Sequence, residues 1–200
     1  ISSPMANLIV DVGGGTTDIA VISLNGTVVS KTVKVAGDRF NEEIVKFIRE
    51  EFKLFIGEQT AEMAKIAVGS AIPFDERMEV AIRGRDVSTG LPKEVVVKNI
   101  HIRAALNKSL RSIVESILEV IELTPPELVG DMLKQGICLC GGGAMLRGID
   151  KLIEKETSIE IKVAGDPLTS VVRGLGQMVD DFEKHRPLLD NPLKPLTITL

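Results

Sequence analysis

Two glycine triplets, Gly13-Gly14-Gly15 and Gly141-Gly142-Gly143, each close a short apolar run: Leu8-Ile9-Val10 with Asp11-Val12 in the first case, Ile137-Cys138-Leu139-Cys140 in the second. Runs of this length read as buried strands. A glycine cluster at a strand end brings several backbone N–H groups together with no Cβ in the way, which is what a phosphate group requires. The segments after the two triplets differ. Thr16 to Leu24 is a second β-rich run, so the first triplet turns a hairpin. That excludes a dinucleotide fingerprint, which needs a helix and G-x-G-x-x-G spacing; the absence of any G-K-[ST] excludes a Walker A loop. The second triplet is predicted to open a helix from about Ala144 to Glu156. There the small residues either admit a flat or anionic ligand to a helix N-terminus or make only a tight strand-to-helix turn.

The remaining pattern predicts an α/β chain. Asn25-Gly26 is a strong hairpin signal, and the β-branched run Thr27 to Val35 returns as a third strand, giving an antiparallel meander closed by Gly37-Asp38. Phe40, Ile44, Phe47, Ile48 and Phe52 step at helical spacing, and Thr60 is the expected N-cap of a second helix. Strands at 78–82 and 94–97 surround a turn-rich stretch and suggest a small α+β insert. The longest helix carries Leu106, Leu110, Ile113, Ile117 and Val120, and Thr124-Pro125-Pro126-Glu127 stops it and starts the next. After a strand at 159–163, Pro167 starts an amphipathic helix with Leu168, Val171, Val172, Leu175, Val179 and Phe182. The stretch from Pro187 to Leu200 has no periodicity and reads as an irregular tail. The expected division is a discontinuous core lobe, 1–72 and 136–186, interrupted by an inserted subdomain at 73–135.

Composition removes whole classes of function. With 44% hydrophobic and 26% charged residues the chain is neither disordered nor low-complexity. Lys plus Arg is 24 against 28 Asp plus Glu, a net charge of −4, so no basic surplus exists to neutralise nucleic acid. Cys138 and Cys140, two apart in an apolar run, read as buried thiols of a reducing compartment, and His101 and His185 are too isolated to complete a metal site. No run approaches the roughly 18 residues of a membrane span. No signal peptide precedes the first strand, so a soluble, cytoplasmic protein is expected. The chain begins Ile1-Ser2-Ser3-Pro4 and enters a strand soon afterwards, the expected start of a fragment.

Asp11 and Asp18, with hydroxyls beside them at Thr16 and Thr17, either flank the first glycine turn as a hydrated Mg²⁺ on a nucleotide phosphate would use them or are solvated aspartates of a plain glycine-rich turn. Glu62 and Lys65 share a helical face, where an ordinary ion pair is the simplest expectation. No nucleophile–histidine set is assembled, so covalent catalysis is disfavoured.

Together these pieces resemble one superfamily. Asp11-Val12-Gly13-Gly14-Gly15-Thr16-Thr17-Asp18 is similar to the second phosphate loop of the actin, heat-shock-70 and sugar-kinase ATPases. Cys140-Gly141-Gly142-Gly143-Ala144 is similar to their adenosine loop, which in many members carries Thr where this chain has Cys140. More narrowly, AVISLNG at 20–26, AGDRFNEEI at 36–44, IGEQTAEMAK at 56–65, VGSA at 68–71, RGRD at 83–86, PPEL at 125–128 and GDPLTSVVRG at 165–174 resemble the carboxy-terminal half of the MreB family of bacterial actins.

The resemblance implies an actin-like, ribonuclease H-like ATPase lobe: a mixed sheet with an antiparallel meander, flanked by helices. By it Gly13, Gly14, Gly15 and Thr16 hold the β- and γ-phosphates of ATP, Asp11 holds Mg²⁺ through water, and Asp18 lies near the attacking water, where many members carry Glu. Gly37 and Asp38 approach the ribose, Glu62 and Lys65 flank ribose and adenine, and Gly141, Gly142, Gly143, Ala144 and Met145 pack beneath the adenosine. It further implies hydrolysis that requires the amino-terminal half, self-assembly into filaments at the inner face of the cell membrane, and control of rod shape and cell-wall synthesis. Membrane contact would come through that other half, and transmembrane cell-shape partners of the RodZ and MreC type are expected. The contrasting expectation is a lobe that docks to filaments without nucleotide turnover. A heat-shock-70 chaperone is disfavoured because no linker and β-rich peptide-binding domain come after the last helix, and a sugar kinase because no substrate-binding aspartate base can be placed.

Overall fold

The computed structural model describes residues 5–24, 26–74, 76–183 and 186. Ile1 to Pro4, the turn residue Asn25, His185 and the expected tail at 187–200 lie outside them.

Strand β1 (Asn7–Val12) buries Leu8, Val10 and Val12, every second residue, so one face of the sheet is turned to the core. β2 (Thr17–Ser23) runs antiparallel to it with Asp18 opposite Asp11, and β3 (Gly26–Val33) returns antiparallel to β2, forming the expected meander. Helix α1 (Gly37–Phe52) lays Phe40, Ile44 and Ile48 on the core. It ends at Lys53, whose φ of 53° turns the chain into the two-residue strand β4 (Leu54–Phe55). Helix α2 (Glu58–Val68) starts earlier than Thr60: the amides of Thr60 and Ala61 both donate to the Gly57 carbonyl, so the first turn is already wound around Gly57 as N-cap.

β5 (Glu79–Asp86) and β6 (Pro92–Lys98) form a longer hairpin than the predicted strands, and β4 joins its edge with Phe55 opposite Arg85. Helix α3 (Asn99–Glu122) buries Ile102, Leu106, Ile113, Ile117 and Val120 against α1 and the meander. Helix α4 (Pro126–Gln135) opens with proline in its first turn, as expected. β7 (Ile137–Cys140) then enters parallel to β1. After α5 (Ile149–Thr157), β8 (Ile161–Val163) lies parallel to β7, and α6 (Ser170–Asp180) comes after a 3-10 turn at Pro167–Thr169. The main sheet has the order β3-β2-β1-β7-β8. Each fully buried Leu, Ile or Phe of its core contributes about 1.5–3 kcal/mol from burial.

Two further expectations need correction. The second triplet opens only a 3-10 turn, Gly142–Met145, and α5 begins at Ile149 rather than Ala144. The intervening segment is drawn out to bind the end of α2. Arg147 bridges to Ser70 through its backbone, and its guanidinium donates to the carbonyls of Ile66 (2.9 Å) and Gly69 (3.4 Å). Gly148 then turns with φ of 73°, where a Cβ would lie 2.5 Å from Ile72 Cγ1. Cys138, expected buried, is exposed, because Ile137 and Leu139 take the core face of β7 and direct it outward; only Cys140 is buried.

Candidate functional site

Because β1 and β7 are parallel neighbours with Asp11 opposite Cys140, the two glycine loops leave the sheet side by side. The first is fixed from below. Gly13 N–H donates to the Thr16 carbonyl (2.9 Å), while the first amides of α1, Gly37 and Asp38, donate to the carbonyls of Gly13 (3.1 Å) and Gly14 (2.8 Å). With the carbonyls of Gly13, Gly14 and Thr16 engaged, the loop leaves the amides of Gly14, Gly15 and Thr16 without an acceptor among the described residues. A Cβ added at Gly14 or Gly15 would meet nothing nearer than the Asp38 carboxylate, at 3.9 and 3.8 Å, so these glycines keep the space over the loop open. Converging amides around an open space form an anion-binding concavity.

The second loop is packed, not open. Gly141 has φ of 82°, and a Cβ there would overlap Asp11 Oδ1 and the Val12 carbonyl. At Gly143 it would overlap Val12 Cγ1. The Gly141 amide donates to the Pro167 carbonyl (3.0 Å), and Gly142 lies against Leu168. Ala144 is buried beneath this turn and Met145 projects into solvent.

The carboxylates flank the first loop, Asp11 opposite Asp18, and only Asp11 also neighbours the second. Asp18 accepts from Thr16 Oγ1 (3.0 Å) and Thr32 Oγ1 (2.5 Å), which set its orientation. Thr17 is turned inward, donating to the Val35 carbonyl (2.6 Å). Burial and the facing Asp18 push the Asp11 pKa up, while a hydrogen bond with the Cys140 thiol pulls it the other way. Burial and the Asp11 charge push Cys140 in turn up to about 12. Two carboxylates that face each other beside the open loop are the groups that could hold a cation. They do not make a protein-only cage, and no group of three metal-ligating side chains exists among the described residues.

Lys65 and Glu62 do pair (2.7 Å), but as part of a larger link between helices. Lys65 Nζ also donates to Asn41 Oδ1 (3.0 Å) and the Gly37 carbonyl (3.4 Å), and Asn41 Nδ2 donates to Glu62 (2.7 Å). Burial alone would raise Glu62, yet hydrogen bonds from Lys65 and Asn41 and the Lys65 charge outweigh it and hold the carboxyl below its ordinary value. The structure therefore joins Asp11, Gly13–Thr16, Asp18, Gly37, Asp38 and Gly141–Ala144 in one place, with Glu62 and Lys65 tied to it through α1 and Met145 at its rim. Sequence reasoning missed Asn41 and Thr32. Asn41 carried one signal, a polar residue one turn past Gly37; Thr32 carried none, since only strand pairing brings it to Asp18.

With this geometry established, comparison with known proteins is decisive. Residues 1–187 match the model of the MreB/Mbl protein family. The chain belongs to the MreB/Mbl family. This family member is 44% identical over 184 residues to the cell shape-determining protein Mbl of Bacillus subtilis, covering 92% of its own length and 55% of the relative's. It is 43% identical over 185 residues to the cell shape-determining protein MreB of Escherichia coli, covering 92% and 53%. Among solved structures it superposes on MreB5 of Spiroplasma citri bound to ADP with a TM-score of 0.89 at 40% identity, over 93% of this chain and 56% of that one. The AMPPNP-bound form of MreB5 gives 0.88. A MamK double helical filament gives 0.73 at 25% identity. The fold is thus an actin-like lobe, and the chain spans about half the length of the curated relatives it matches. No helix among the described residues is long and apolar enough to cross a membrane.

Proposed function

We propose that this MreB/Mbl chain is one lobe of an ATP-binding, filament-forming protein that maintains rod shape and organises cell-wall synthesis, working at the inner face of the cell membrane with transmembrane cell-shape partners. The observation that carries this reading is the open anion-binding loop: three acceptor-free amides at Gly14, Gly15 and Thr16 beside Asp11, with a second glycine loop packed against the same aspartate. The nucleotide complexes of MreB5, a relative of the same lobe architecture, support ATP as the ligand.

In this reading the loop amides bind the β- and γ-phosphates, Asp11 orients the water shell of Mg²⁺, and Asp18, steadied by Thr16 and Thr32, orients the attacking water. Bound Mg²⁺ supplies charge neutralisation on the phosphates. Gly37 and Asp38 border the ribose, Glu62 and Lys65 border ribose and adenine, and Gly141–Met145 support the adenosine. Catalysis is then positioning and electrostatics rather than covalent chemistry.

A second lobe completes the cleft and is required for hydrolysis. The apolar stripe Leu168, Val171, Val172, Leu175, Val179 and Phe182, at least half exposed throughout, is the surface such a lobe would cover. The test is ATP binding and phosphate release by this chain and by the two-lobe protein. The chain alone should bind weakly and not turn over. Turnover by the chain that survives Asp11→Ala and Gly14→Val overturns the reading, and nucleotide-independent co-sedimentation with filaments favours a docking module instead.

A further inference from the structure

We infer that Arg147 is a positioning residue for the base of a bound nucleotide: it ties the end of α2 to the second glycine loop and so sets the spacing of the two walls between which the base lies. This rests on the nucleotide part of the reading above, in which α2 brings Glu62 and Lys65 to ribose and adenine while Gly141–Met145 support the adenosine. Helix α2 acts as a strut between the two loops. Toward the first, Lys65 Nζ donates to the Gly37 carbonyl (3.4 Å), and the Gly37 amide donates to the Gly13 carbonyl (3.1 Å). Toward the second, the tie is Arg147. The last carbonyls of a helix lack amide partners and carry partial negative charge, which favours a cation there. At the end of α2 the Gly69 amide satisfies the Lys65 carbonyl (2.8 Å), and Arg147 Nη1 donates to Ile66 (2.9 Å) and Gly69 (3.4 Å). The main chain joins at the same place, where Ser70 bridges to Arg147 and the Ala71 amide donates to the Arg147 carbonyl (2.8 Å).

The packing around this tie leaves no slack. A Cβ at Gly69 would lie 2.2 Å from the Lys65 carbonyl oxygen and 3.2 Å from Leu146 Cδ1, so the leucine before Arg147 rests directly on the helix end. The Leu146 amide donates to the Gly143 carbonyl (3.1 Å), which carries any shift of Arg147 back into the glycine turn. Among the described residues Arg147 meets no carboxylate, and its guanidinium serves the helix end instead of an ion pair. Nor does the core need it: Arg147 is exposed, and α2 is already anchored from below by the buried Ala61, Ala64 and Val68. What the side chain fixes is where the solvent-facing side of α2 stands relative to Gly142–Met145. The planar fork of arginine suits two carbonyls at once, whereas lysine offers a single ammonium on a flexible stem. The hydrogen bonds of the Arg147 side chain go to the end of α2 and not to the first loop, so its loss acts on the base and spares the phosphates.

The test is calorimetry on the two-lobe protein with Mg²⁺, comparing ATP with inorganic tripolyphosphate, which offers phosphates but no base, and with thermal melts on the same samples. R147M should weaken ATP about tenfold, the equivalent of one lost hydrogen bond, and leave tripolyphosphate within about twofold of the parent. R147K should fall between R147M and the parent for ATP. Unchanged ATP affinity in R147M overturns the inference. So does an equal loss for both ligands, or a fall in ATP affinity that follows a fall in Tm through both variants, since either result gives Arg147 a purely structural role. A parent that binds neither ligand overturns the nucleotide reading and this inference with it, whereas a parent that binds ATP and a variant that binds it equally well overturn the inference alone.

Discussion

Gly13–Gly15 and Gly141–Gly143 end neighbouring parallel strands, a few ångströms from the same aspartate, and yet their glycines answer different demands. In the first loop the missing side chains leave room for something outside the chain: only the Asp38 carboxylate comes near an added Cβ at Gly14 or Gly15. In the second they leave room for the chain itself, since a Cβ at Gly141 or Gly143 would be driven into β1. One triplet opens onto free space and the other is a joint in the fold, and a sequence pattern alone does not separate them.

That contrast can be broken most directly by adding side chains. Gly141→Ala forces a left-handed backbone and an overlap with Asp11 and Val12, and should cost about 3 kcal/mol, seen as a fall of roughly 6–12 °C in Tm. Gly14→Val should stay within about 1 kcal/mol of the parent in the same melts while abolishing ATP binding. If both variants melt alike, the two loops are not different in kind.

A smaller effect tests the link that ties α2 to the first loop. Lys65→Met leaves Glu62, Asn41 and the Gly37 carbonyl short of a donor and should cost roughly 1.5 kcal/mol in urea unfolding. Loss of ATP affinity without loss of stability would place Lys65 on the ligand and not in the joint.

The smallest is a pH effect at the shared aspartate. Burial and Asp18 raise Asp11 above its ordinary 3.8, so the folded chain holds this proton more tightly than the unfolded one. Stability therefore falls as pH rises from 3.8 through the raised value, and the penalty is complete at neutral pH. Asp11→Asn removes it. The expected gain is at most about 0.5 kcal/mol at pH 7, because solvent reaches this half-buried group. It should vanish below pH 3.8. A gain that persists in acid would assign the effect to packing.

Much of this was legible in the residues. Local patterns specify their own elements: the alternation of Leu8, Val10 and Val12, the helical step of Phe40, Ile44 and Ile48, and Pro126 at a helix start each depend on neighbours a few positions away. The glycine triplets and their flanking aspartates pointed to the candidate site for the same reason. What needed the tertiary structure was decided by distant partners. The start of α5 was set by Arg147 reaching back to α2, the exposure of Cys138 by which face of β7 the core claimed, and the two-residue strand β4 by pairing with β5. The orientation of Asp18 needed Thr32 from across the sheet, and the difference between an open and a packed glycine loop needed β1 beside β7. A sequence carries the short-range preferences of the backbone, whereas the space left around a glycine or a carboxylate exists only once remote strands have been brought together.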